Sequence, residues 1–201
     1  MKSIRYSLHF SLLIVAGLVY WLAKDVHLPY WNFDFFHFGL MGLLHATVIV
    51  ISLRDRKAVR PVLAFCFIAL ATIWAALTPI LGLWSLILLP DRIAGVLRDH
   101  HPILRDVSFF LGGSAIGASG YWLLVRRFWL KSLRPVDWLR TVGFCVAATT
   151  LSVVAEDKLK LNIDGWLWLT AAWWLGFSCS LYWSEMNGHL ATSADRMAHV
   201  P

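Results

Sequence analysis

Apolar residues in this chain come in runs too long for a soluble core, and each run ends in charge. A helix needs about 20 predominantly apolar residues to cross a bilayer. Six segments meet that requirement: 5–23, 35–53, 62–81, 107–125, 138–155 and 165–183. They use most of the 201 residues and leave only short loops and a short cytoplasmic tail at 184–201. Inside lipid, runs of this kind satisfy their backbone polar groups as helices. The expected fold is all-α: a polytopic membrane helix bundle of six transmembrane spans, forming one domain over 1–201.

Composition agrees. Apolar residues make up 59% and charged residues 15%, against about 25% charged in soluble domains. Mean hydropathy is +0.64. The first run follows Lys2 and Arg5 as a signal peptide would, but it continues to Tyr20-Trp21-Leu22-Ala23-Lys24 with no small-x-small cleavage site. It reads as a retained span.

The net charge of +6 does not point to nucleic acid, because the basic residues sit at the ends of the apolar runs. With the N-terminus inside, one side holds Lys2, Arg5, Arg54, Arg56, Lys57, Arg60, Arg126, Arg127, Lys131, Arg134, Arg140 and Arg196. The other holds Lys24, Arg92, Arg98, Arg105, Lys158 and Lys160. Twelve against six predicts both termini in the cytoplasm, N-in/C-in. The setting is a plasma membrane, the inner membrane of a bacterium, with the chain multi-pass. All twelve acidic residues lie outside the spans or at their edges. That argues against a carboxylate-driven pump.

Local signals mark the span ends. Asp34, Asp106 and Asp164 each precede aromatics at the start of an even-numbered span, as helix caps beside an aromatic belt do. Arg60-Pro61-Val62 and Arg134-Pro135-Val136 open two odd-numbered spans alike; this is either a hairpin repeat or coincidence. Pro79 removes a backbone donor, so a kink is expected there, with 81–89 either bending along the interface or forming a long tilted end.

Span four carries Gly113, Gly117 and Gly120 among Ser114, Ala115, Ala118 and Ser119. Side chains this small let another helix approach closely, so helix packing is the expected role. Within this stretch Gly117-Ala118-Ser119-Gly120 resembles the serine motif of rhomboid intramembrane proteases over four residues. That family pairs its serine with a histidine on another span. Here the last span, 165–183, has none, and His189 follows it. The nucleophile-base pair is unsupported, and no catalytic residue is expected.

In span two, Asp34, His37, Met41 and His45 share one helix face. His45 falls near mid-membrane, and a neutral imidazole there can line a path or bond a neighbouring helix. His37 and His45 are about 12 Å apart along the axis at ~1.5 Å per residue, too far to share a metal. His9, near the cytoplasmic end of span one, leaves His45 without a partner at its depth, so no haem is expected. Cys66, Cys145 and Cys179 lie inside spans. They read as small apolar residues rather than a Cu(I) trio or a disulfide. The loop at 91–101 has apolar residues at helical spacing between Pro90 and Pro102, which suggests an interfacial helix. Its His100 and His101 read as solvated. No cofactor or metal is expected.

Two functions fit. One is a non-enzymatic subunit, anchor or regulator of a membrane assembly, whose partner is another membrane protein or a second copy, held by the small-residue face. The other is a small channel or transporter with a path past His37, His45 and Thr78. The twelve tryptophans suit interfacial anchoring in either case.

Overall fold

A computed structural model describes residues 4–23, 33–53, 59–87, 102–159 and 165–198, with side chains at 4–23, 36–53, 59–82, 111–155 and 169–187. These residues form six α-helices: α1 (Tyr6–Ala23), α2 (Phe33–Ser52), α3 (Pro61–Ile87), α4 (Pro102–Phe128), α5 (Pro135–Leu159) and α6 (Gly165–Ala198). Each falls on one of the six apolar runs. Three are long and apolar enough to cross a membrane: Tyr6–Ala23, Pro61–Gly82 and Pro135–Ala155.

Helix starts follow local chemistry. Pro61, Pro102 and Pro135 each occupy the first helical position, where the missing N–H costs nothing and the fixed φ suits a helix. At α5 the backbone N–H of Arg134 donates to Asp137 Oδ2 at 2.7 Å, the back-reaching half of a capping box. The shared Arg-Pro-Val openings of α3 and α5 thus have a sufficient local cause. Because α4 begins at Pro102, Asp106 lies in its second turn and does not cap it. The charged pair Arg105-Asp106 interrupts the apolar run and hides that extra turn from hydropathy. Helix α3 continues through Pro79 to Ile87, so 81–87 extend the same helix. Helix α6 carries on to Ala198, so the segment after 183 begins as helix. The loop at 91–101, with His100 and His101, lies outside the described residues.

Each helix packs against its neighbours in sequence, and α1 closes on α6, the thinnest of the six seams among the described residues. The pairings are antiparallel. Arg5 N–H donates to Ser52 O at 2.8 Å, Ile4 bridges Leu53, and Tyr20 reaches His37 at the opposite end. The bundle is therefore an up-and-down ring.

Its polarity is inverted relative to a soluble protein. Outward faces carry Ile14, Leu22, Val62, Phe65 and Leu151, each about 70% exposed. Hydroxyls within the helices are satisfied locally: Thr47, Thr72, Ser119, Thr150 and Ser152 each donate to the carbonyl four residues back. Every described Lys and Arg side chain lies at the end where α1, α3 and α5 begin. That end is also the tightly packed one. Phe67, Val125, Trp129, Leu130 and Leu181 are buried there, with Phe67 edge-on to Trp129.

Glycines set the helix spacing. A Cβ on Gly42 would lie 2.5 Å from Ala75 Cβ and 2.9 Å from Ala71 O, so α2 and α3 touch backbone to backbone. On the other flank of α3, Gly117 faces Thr78 Cγ2, 3.0 Å from where its Cβ would be. Gly120 is covered by the Trp74 indole, whose Nε1 donates to Gly117 O at 3.0 Å.

Candidate functional site: a cavity closed by an aromatic floor

The opposite half of the ring does not pack solid. A cavity of about 60 Å³ lies among the six helices, room for a few waters. Helix α2 presents His37, Met41 and His45 to it, and α3 presents Trp74, Thr78 and Pro79. Gly113, Gly117 and Tyr121 come from α4, and Thr170, Trp173 and Trp174 from α6. Helix α1 adds Tyr20, and α5 adds Thr149. His37, His45 and Thr78, read from sequence as a path, thus converge on one space. Gly113 and Gly117 line it as well; Gly120 stands apart against Trp74.

Polar groups on the wall are tied to one another. Tyr20 Oη and His37 Nδ1 are 3.1 Å apart. Thr149 Oγ1 donates to Ser114 Oγ at 3.0 Å, and Thr170 Oγ1 donates to Met41 Sδ at 3.6 Å. These bonds tie α1 to α2, α4 to α5, and α2 to α6.

The floor is aromatic, with His45 at its centre. The imidazole stacks on Tyr121, centroids 5.1 Å apart, and on Trp174, 5.8 Å apart. Trp173, Phe177 and His9 meet it edge-on at 5.8, 5.5 and 6.1 Å. His45 is fully buried, and neither of its ring nitrogens has a protein hydrogen-bond partner. Tyr121 Oη and Trp174 Nε1 are buried and unpartnered too.

Beneath the floor, His9 corrects the sequence reading that left His45 alone at its depth. Pairing of Ile4 with Leu53 brings the start of α1 beside the end of α2, which sets the two histidines side by side. His9 Nδ1 lies 3.0 Å from Ser52 Oγ and Nε2 lies 2.8 Å from Ser178 Oγ. Ser52 donates to Ile49 O, so it accepts from His9, which places the proton on Nδ1 and leaves Nε2 to accept from Ser178. Serine hydrolases use this polarity to activate a hydroxyl. Here His9, Ser52 and Ser178 are fully buried and none lines the cavity. The trio ties α1 to α2 and α6. No sequence motif signals it, because its members lie in three distant segments.

Ser119, the serine of the rhomboid-like tetrapeptide, donates to Ala115 O at 2.7 Å and accepts from Trp138 Nε1 at 3.0 Å. Cys145 is buried, Cys66 half-buried and Cys179 exposed. Among the described residues no three His, Cys, Asp or Glu side chains gather in a metal-binding group. No protein-family model, curated protein or solved structure matches this chain. The site's chemistry must therefore be read from its own residues. Among the described residues its lining is apolar and uncharged, with hydrogen-bonding groups on the floor.

Proposed function

We propose that this chain is a six-span, N-in/C-in protein of a bacterial inner membrane, and that it carries a small uncharged solute through the central cavity, past His45. The observation behind this reading is the convergence of His37, His45 and Thr78 on one cavity. Helix length supports six spans. The shortest helix has 18 residues, about 27 Å at ~1.5 Å per residue, close to the thickness of the hydrocarbon core. The packed end bears the basic residues and faces the cytoplasm, so the cavity opens toward the outer half of the membrane.

The other expectation, a subunit of a membrane assembly, drew on an uncharged interior and short loops as well as on the small-residue face of span four. That face is occupied by α3 of the same chain, which leaves the cavity as the stronger support.

Sided access tests the proposal. Thr78→Cys is placed in a chain with Cys66, Cys145 and Cys179 replaced, and oriented vesicles receive a water-soluble thiol reagent from one side or the other. A carrier is modified from outside at once and from inside more slowly, as the floor opens. No modification from either side, in a folded protein, defeats the pathway. Stoichiometric partners recovered in mild detergent would then favour the subunit reading.

A further inference from the structure

The cavity floor bears three side chains whose polar atoms find no partner in the protein: His45, Tyr121 and Trp174. They are 0%, 1% and 2% exposed, and all three line the cavity. Leaving buried groups unpaired is costly, and native proteins rarely collect several in one place. We infer that the floor is a binding site for a neutral, membrane-soluble molecule whose apolar ring or chain carries a hydroxyl group. This inference rests on the cavity reading above and names the chemistry of its ligand.

The donor and acceptor inventory selects the hydroxyl. Trp174 Nε1–H can only donate, so the ligand must accept. A neutral His45 has one donating and one accepting nitrogen, so the ligand must also donate. Tyr121 Oη can do either. A hydrocarbon meets none of these needs, and a ketone leaves the imidazole lone pair unpaired. Stacking on Tyr121 and Trp174 covers the faces of His45, so what it can offer a ligand is the ring edge that carries both nitrogens.

Charge selects neutrality. Every Lys and Arg whose side chain is described, together with Asp137 and Glu185, lies toward the packed end, and among the described residues no charged side chain lines the cavity. An ionised ligand would be desolvated there without a counter-charge. The remaining wall, including Phe38, Met41 and Trp173, suits an apolar body.

Phenol and toluene, alike in shape and differing in one hydroxyl, provide the test. The full chain in lipid nanodiscs is dialysed against each, with empty nanodiscs of the same lipid subtracted. Benzoate and benzylammonium serve as charged counterparts. Saturable binding of phenol is expected, about tenfold tighter than toluene, the order expected for pairing a buried polar group; the ions should bind no better than toluene. Tyr121→Phe keeps the ring, removes its polar atom, and should weaken phenol about tenfold while toluene is unchanged; Trp174→Phe removes the N–H together with part of the indole, and should lower the preference for phenol over toluene by a similar factor. Unchanged toluene binding shows that the site is still folded. Equal binding of phenol and toluene overturns the inference, as does wild-type phenol affinity in both variants or no saturable binding of either compound. Competition with 4-dodecylphenol separates two sources of the same chemistry: displacement indicates a lipid-borne hydroxyl, and lack of displacement a free small molecule. Phenol selectivity in a protein whose Thr78→Cys reacts from neither side would keep this site and discard passage. Sided access without phenol selectivity would do the reverse.

Discussion

His9 and His45 are neighbours with opposite circumstances. His9 is hydrogen-bonded through both nitrogens to serines on two other helices; His45 has stacking partners but no protein hydrogen bond. Replacing them should therefore have different consequences. His9→Ala leaves a void and strands the Ser178 hydroxyl, and should destabilise the fold by about 1–3 kcal/mol, read as a lower unfolding midpoint in detergent. His45→Phe keeps an aromatic ring in the stack and breaks no hydrogen bond, so stability should hold while solute passage is lost. A His45→Phe protein that melts early would show that the imidazole is structural. Glycines allow the same kind of contrast. A Cβ at Gly120 collides with the Trp74 indole, whereas a Cβ at Gly143 meets nothing within 4 Å. Gly120→Ala should cost about 1–3 kcal/mol, and Gly143→Ala should be neutral or slightly stabilising.

Among the elements, α3 does most to set the arrangement. Ala71, Thr72, Ala75 and Ala76 meet the glycines of α2, while Trp74, Thr78 and Gly82 meet those of α4. Each set recurs at three- and four-residue spacing, as neighbours on a helix surface must. Two different stripes of one helix thus receive two partners, and the cavity lies where the flanking helices then diverge. Gly117→Leu should force α3 and α4 apart and disturb folding. Ser119→Ala, a few ångströms along the same helix, removes only bonds to Ala115 and Trp138 and should leave both folding and function intact. Loss of activity in a well-folded Ser119→Ala protein would revive the protease resemblance.

For the whole molecule, the packed basic end and the open half define a polarity that topology mapping can check. Reporters placed after Lys24, Arg98 and Lys158 should lie outside, and the Arg126–Arg134 loop should lie inside; the reverse would overturn the orientation. The α1–α6 seam at the packed end is closed by Tyr6 against Tyr182, centroids 4.8 Å apart. Carriage needs some seam there to part. A short cross-link between cysteines introduced at these two positions should stop access to Thr78→Cys from the inside and spare access from the outside.

Much of the architecture was legible because its causes are local. An apolar run of bilayer length, a proline at a first helical position and charge at each end are contained in contiguous residues. From them follow six helices and their approximate limits. The extra turns around Arg105-Asp106, at 156–159 and beyond 183 escaped, where polar residues continue a helix that hydropathy alone would end. The small-residue stretch Gly113, Gly117 and Gly120 was recognisable as a packing face, and His37, His45 and Thr78 as polar groups in apolar surroundings. What they would meet was not. A helix that is apolar over most of its circumference says little about its own rotation or its neighbours. Only tertiary packing brings His9, Ser52 and Ser178 together from three helices, turns the glycine face toward α3 of the same chain, and leaves His45, Tyr121 and Trp174 with unpaired polar atoms around one cavity.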